Sequence, residues 1–136
     1  MTIYKIYIVV VLCILLLSCK SKHDYRFLEN AGISSQDWKS DTFGCLSYRH
    51  EKAKIVLGLK QHLLKLNKAE VISFFGKPDF EKHLNGEKEI LSYINEPNLY
   101  CQGKVLKEYV NQLETTSINF IFDKKGNLTN IVMPVP

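Results

Sequence analysis

A length of 136 residues suggests one domain, and a charged fraction of 24% beside a hydrophobic fraction of 46% is typical of a globular chain, not a disordered one. The net charge is only +4, and no stripe of basic and aromatic side chains is present. This composition argues against nucleic acid as a partner.

The N-terminus has the pattern of a secretion signal. Lys5 precedes an unbroken apolar run over residues 6–17. That run is shorter than the roughly 20 residues that cross a bilayer, but it is typical of the apolar part of a signal peptide. We therefore predict that residues 1–18 are a signal peptide. An uncleaved membrane anchor is the alternative.

The end of the signal peptide and the residue after it read Leu16-Leu17-Ser18-Cys19, which resembles the lipobox of bacterial lipoproteins. The resemblance implies cleavage before Cys19 and lipidation of both its thiol and its new amino group, and two or more acyl chains anchor a protein stably in a membrane. No Asp follows Cys19, which by the same resemblance favours the outer membrane and a domain facing the periplasm. The alternative is ordinary signal cleavage beside an unmodified Cys19.

A short tether is predicted between the lipid and the folded part. Residues 19–34 have little apolar periodicity, with at most a weak helical turn over residues 25–31 that Gly32 would end. We therefore expect one domain over residues 35–136.

The first half of that domain is predicted to be helical. Ser34 or Ser35 can cap a short helix through Trp38. Apolar residues at spacings of three and four then predict a long helix over residues 47–66, with Gly58 inside it. A capping box, Asn67-Lys68-Ala69-Glu70, opens a second helix that ends at Gly76 and Pro78.

The second half changes to the alternation of β-strands. Strands are predicted over residues 80–84, 89–95, 115–123 and 128–133, with Asn85-Gly86 as the first hairpin turn. Residues 100–109 fit either a strand or an irregular excursion. This order predicts an α+β fold, with two helices packed on a three- to four-stranded antiparallel meander as a two-layer sandwich.

Two cysteines remain once the signal and the lipid have accounted for Cys13 and Cys19. Cys45 and Cys101 would lie in an oxidising compartment, so they are a candidate disulfide closing a loop of about 56 residues. Two buried free thiols are the alternative.

Motifs for catalysis or metal binding are missing from the sequence. It contains no GxSxG, Ser-x-x-Lys or glycine-rich phosphate loop, and no CxxC, HxxxH or HExxH spacing. We therefore expect no enzyme activity, no cofactor and no metal site. Tyr93, Tyr100 and Tyr109 are candidates for an exposed interaction surface, because tyrosine favours interfaces; packing within the sheet is the alternative.

The segment from Leu66-Asn67 to Phe75-Gly76-Lys77-Pro78 resembles the signature of the SmpA/OmlA (BamE-like) outer-membrane lipoproteins. The similarity continues in Leu91-Ser92-Tyr93 and in Phe122-Asp123-Lys124-Lys125-Gly126-Asn127-Leu128, so it covers about residues 63–133. It implies two helices on a three-stranded antiparallel sheet and a role in outer-membrane barrel assembly. These motif residues cap a helix, end it and form a turn, so they bear on the fold more than on the role.

Three classes of function follow. We expect a non-enzymatic module, anchored through Cys19, that holds another envelope protein with the outer face of its sheet or its hairpin loops, in outer-membrane assembly or maintenance. The alternative is a secreted or periplasmic inhibitor or ligand-binding module, which a pocket lined by Tyr93, Tyr100 and Phe120 would favour. An enzyme would need two carboxylates, or a Cys–His pair, meeting in a cleft.

Overall fold

The computed structural model of the chain describes residues 24–97, 99–103 and 116–134. The predicted signal peptide, Cys19 and Tyr109 lie outside these ranges. Within them, the structure contains no helix that combines the length and the apolar character needed to span a bilayer.

The helices occupy the first half of the described chain, and two of them begin where the capping residues predict. Ser34 caps α2 by accepting a hydrogen bond from the amide of Asp37 (3.2 Å). At α5, Asn67 and Glu70 form both hydrogen bonds of the capping box. The α-helices are α1 Arg26–Asn30, α2 Ser35–Ser40, α3 Tyr48–Gly58, α4 Lys60–Leu63 and α5 Lys68–Phe75, with 3₁₀ turns at Thr42–Gly44 and Leu99–Gln102.

The single long helix predicted over residues 47–66 is wrong, because the chain forms α3 and α4 with a break at Leu59. Glycine disfavours a helix interior by about 1 kcal/mol, and Gly58 ends α3. The apolar pattern did not reveal the break, since Val56 and Leu63 reach the same core from the two sides of it.

The folded unit also begins earlier than the predicted boundary at residue 35. Leu28 in α1 and Ile33 after it are fully buried, and the Tyr25 hydroxyl donates to the carbonyl of Glu70 (3.1 Å). The predicted tether of residues 19–34 is therefore too long, and its last part belongs to the domain. A five-residue helix is too short to show a periodic pattern in the sequence.

The strands form one antiparallel sheet in the order β1-β2-β3-β4, which confirms the predicted α+β class and the meander. Asn85 and Gly86 turn the first hairpin with φ of 49° and 69°, the positive values that a tight hairpin turn requires. The strands are β1 Phe80–Leu84, β2 Lys88–Ile94, β3 Ser117–Asp123 and β4 Leu128–Val132.

The core lies between the helices and one face of the sheet. Ile118, Phe120 and Phe122 of β3 point into it, as their alternation predicts, and Phe120 pairs with Leu91 of β2. The other face, which we call the outer face, carries alternate strand residues that lie outside the core cluster. These include Phe80, Ile90, Ser92, Asn119, Ile121 and Val132.

Candidate interaction surface

A buried ion pair lies where α2, α3 and the sheet meet. Arg49 Nη1 is 2.5 Å from Asp79 Oδ2, and both side chains are 2% exposed. Arg49 also donates to the carbonyl oxygens of Trp38 (3.1 Å) and Ile94 (3.4 Å). Its guanidinium lies over the rings of Trp38 and Tyr93, at 5.8 and 5.5 Å from their centroids. The buried charge therefore has several partners, as burial requires.

The same pair fixes the segment of residues 41–47, which we call the locked loop. Asp79 accepts hydrogen bonds from the amides of Phe43 (3.2 Å) and Ile94 (2.8 Å). Buried Asp41 accepts from the amides of Leu46 (2.5 Å) and Arg49 (2.8 Å). The carboxylates of Asp41 and Asp79 thus fix the backbone of the loop through hydrogen bonds to its amides.

The locked loop has an unfavourable backbone. Phe43 and Ser47 have φ of 57° and 64°, in the left-handed region that costs energy for residues other than glycine. Gly44, also left-handed, lies so close to β2 that a Cβ there would be 2.8 Å from the amide nitrogen of Glu96. Such conformations persist only where the surroundings enforce them, and they cluster at functional sites.

A disulfide completes the lock. Cys45 is bonded to Cys101, which confirms the predicted pair and joins the locked loop to the 3₁₀ turn Leu99–Gln102. The neighbouring side chain of Leu46 is 68% exposed, the largest value among the exposed large hydrophobic residues of the described chain. The loop therefore holds an apolar side chain in solvent on a rigid support.

A groove of about 320 Å³ lies on the outer face of the sheet. Ile90 in its wall pairs directly with Ile121 on β3. The Phe43 ring of the locked loop is 6.2 Å from the ring of Phe80, which also lines the groove, so the two features adjoin. The groove is lined by Phe80, Glu81, Lys82, Ile90, Ser92, Asn119 and Pro134.

Of the three tyrosines considered for an exposed surface, the structure settles Tyr93, for which it bears out the alternative of packing within the sheet. Tyr93 is fully buried, and its hydroxyl donates to the carbonyl of Gly76 (2.8 Å). Burial raises the pKa of this phenol far above its ordinary value. Tyr100 lies in the second 3₁₀ turn, and Tyr109 lies outside the described residues. Because Tyr93 and Phe120 are core residues, they cannot line the open pocket that would favour a ligand-binding module.

The groups that an enzyme would need, two carboxylates or a Cys–His pair meeting in a cleft, can be located in the described residues. The sulfur atoms of Cys45 and Cys101 are bonded to each other, so neither is a free nucleophile. Two carboxylates, Glu81 and Glu89, do meet His83, but on the hairpin of β1 and β2, where Glu81 and His83 are exposed. The hairpin turn separates Glu89 from Glu81 and His83, so the three do not form a ligand motif of fixed spacing in the sequence.

Protein-family models, curated proteins and solved structures were compared with the chain, and none matches. The buried Asp41, Arg49 and Asp79 are the residues that sequence reasoning missed. A signal for one of them existed, since Arg49, Ala53 and Val56 have the spacing of a single helix face. Arg49, Ala53 and Val56 are all buried, so the buried face of α3 begins with an arginine.

Proposed function

We propose that this protein is a lipoprotein of the cell envelope that acts as a non-enzymatic interaction module, with its lipid on Cys19. The proposal is based on the surface that the outer face of the sheet presents. Its apolar groove adjoins a rigid loop that exposes Leu46. Apolar side chains that are half-buried beside polar ones, as on this face, suit contact with a protein partner.

Membrane attachment is supported by the apolar run and the lipobox-like Leu16-Leu17-Ser18-Cys19. The early start of the domain adds a geometric consequence. Only five residues lie between Cys19 and Tyr25, and the six steps from one to the other reach roughly 20 Å at full extension. A lipid on Cys19 would therefore keep the domain near the bilayer surface.

The partner that fits this placement is another envelope protein. The resemblance to SmpA/OmlA (BamE-like) lipoproteins supports an outer-membrane location on the periplasmic side, and a role in outer-membrane assembly or maintenance. The mild net charge and the bonded cysteines favour a binding role over nucleic-acid recognition or thiol chemistry.

Attachment is tested by intact mass and cell fractionation of the wild type and Cys19→Ala. We expect the wild type to be in the membrane fraction with the added mass of lipid, and Cys19→Ala to lose both. A wild type that is soluble and unmodified would contradict the lipoprotein proposal and move a secreted binding module to first place.

The surface is tested by crosslinking in the envelope, followed by purification of the protein with its partners. We expect Ile90→Glu to lose a crosslinked envelope protein that the wild type recovers, because a charge in the groove opposes apolar contact. Ile55→Glu is the matched control, since Ile55 is 37% exposed on α3. Equal recovery with Ile90→Glu, in a protein of unchanged circular dichroism, would contradict the proposed surface.

A further inference from the structure

We infer that the β1–β2 hairpin binds a zinc ion through Glu81, His83 and Glu89. Each of these residues offers one ligand atom, and the three atoms lie within 4.8 Å of one another. This inference does not depend on the interaction proposal, since it needs neither a partner nor a membrane, although Glu81 also lines the groove.

The strand register brings the three side chains together. His83 on β1 pairs directly with Glu89 on β2, and His83 Nε2 is 3.8 Å from Glu89 Oε1. Glu81 lies two residues before His83, and side chains two apart on a strand share a face. The tight turn at Asn85 and Gly86 fixes this register. The backbone therefore positions all three ligands before any ion arrives.

The donor set favours zinc over magnesium or calcium. One imidazole nitrogen and two carboxylate oxygens suit Zn²⁺, whereas Mg²⁺ and Ca²⁺ prefer oxygen alone. Zinc bonds of about 2.0–2.2 Å require ligand atoms roughly 3.4 Å apart in a tetrahedron. Glu81 and His83 are exposed, so a small rotation of each side chain closes the set. Water would take the fourth position.

The side chain of Lys68 shows that the Glu89 carboxylate already binds a positive charge. Its ammonium is 2.5 Å from Glu89 Oε1, although Lys68 belongs to α5 and not to the hairpin. Glu89 is only 17% exposed, so its charge is poorly screened by water and a positive partner stabilises it. A zinc ion would compete with this ammonium for the carboxylate. Removal of Lys68 should therefore tighten the binding of zinc.

The experiment titrates the full chain, purified in detergent and stripped of metal with EDTA, with ZnCl₂ against a chromophoric chelator. We expect one equivalent to bind to the wild type. His83→Ala and Glu81→Gln should each weaken binding by at least about tenfold, because a ligand is lost. Lys68→Met should tighten binding about threefold or more, because a like charge leaves the site.

His50→Ala is the matched control. His50 Nδ1 is 3.7 Å from Glu96 Oε1, so it is another exposed imidazole beside a carboxylate, and its loss should leave zinc binding unchanged. Circular dichroism of every variant checks that the fold is retained. The inference is overturned if the wild type shows no saturable equivalent, if His83→Ala binds like the wild type, if His50→Ala loses binding equally, or if Lys68→Met binds more weakly.

Discussion

Arg49 and Asp79 place two opposite charges in the interior of the domain. Removing charges from water costs several kcal/mol per ion, and only close pairing with further hydrogen bonds offsets that cost. Here Arg49 reaches two carbonyl oxygens besides Asp79, and Asp79 accepts two amides besides Arg49. The pair thus joins α3 to the locked loop and to the end of β2.

Asp79→Ala should lower the free energy of unfolding by about 3–5 kcal/mol, because it leaves the Arg49 charge buried without its partner. Urea titration followed by circular dichroism measures this loss. Glu51→Ala, an exposed position on α3, is the control and should change stability by less than about 0.5 kcal/mol. Similar values for the two variants would mean that the pair contributes nothing to stability.

Asp123 at the β3–β4 turn gives the domain an acid-sensitive contact. Its carboxylate accepts hydrogen bonds from the Asn127 side chain (3.0 Å) and from the amides of Asn127 and Lys125 (2.9 Å each). These bonds hold the pKa of Asp123 below its ordinary value of 3.8, with the Asn127 side chain as the largest cause. A lowered pKa in the folded state means that the stabilisation is complete above the ordinary value and is lost as the pH falls through the lowered one.

Asp123→Asn should therefore destabilise the domain most at neutral pH, and the difference from the wild type should shrink as the pH falls below about 3.8. Urea titrations at a series of pH values measure the difference. Lys124→Gln is the control, since it changes an exposed side chain on the same turn that makes none of these hydrogen bonds. A difference between wild type and Asp123→Asn that stays constant into acid would contradict the assignment.

Among the elements, those with a local signal were predicted, and those decided by distant contacts were not. The capping box at Asn67 and the turn at Asn85-Gly86 are encoded within four residues or fewer, and both formed. The break at Leu59 is hidden in the sequence because apolar residues on both sides of it reach the same core, and the burial of Leu28 depends on how α1 packs against the rest of the domain. The spacing of apolar residues along the sequence carries no information about such packing.

The candidate site shows the same limit. The pairing of Cys45 with Cys101 followed from counting cysteines, and the structure bears it out. The sequence did not decide which face of β2 is buried, because apolar residues occur on both faces, and so a surface position and a packed position of Tyr93 both stayed open. Glu81 and Glu89 are brought together by the pairing of β1 with β2. The exact register of that pairing decides which side chains are neighbours, and the sequence alone did not give it.

Gly58 and Gly86 allow a test of the helix break. A Cβ at either position meets nothing within 4 Å, but only Gly86 has a left-handed φ, at +69°. Gly58→Ala should therefore raise the free energy of unfolding by about 0.5–1 kcal/mol, because alanine favours the helix. Gly86→Ala should lower it by about 1–2 kcal/mol. Urea titration compares them, and a destabilised Gly58→Ala would show that the break itself is required.

For the whole molecule, the disulfide controls how the long connection between β2 and β3 is attached. Cys101 lies in that connection, and its bond to Cys45 fastens the turn Leu99–Gln102 to the locked loop. A cross-link that closes a long loop restricts the unfolded chain more than the folded one. The bond therefore stabilises the domain and also holds the backbone beside Leu46.

Replacing both cysteines, as Cys45→Ser with Cys101→Ser, should lower the free energy of unfolding by about 4 kcal/mol, given the separation of 56 residues. A reducing agent should produce the same loss in the wild type and no further loss in the double variant, which is thus its own control. If the locked loop serves the proposed surface, the double variant should also lose the partner that Ile90→Glu loses, under conditions where it remains folded. Retention of that partner would confine the surface to the sheet.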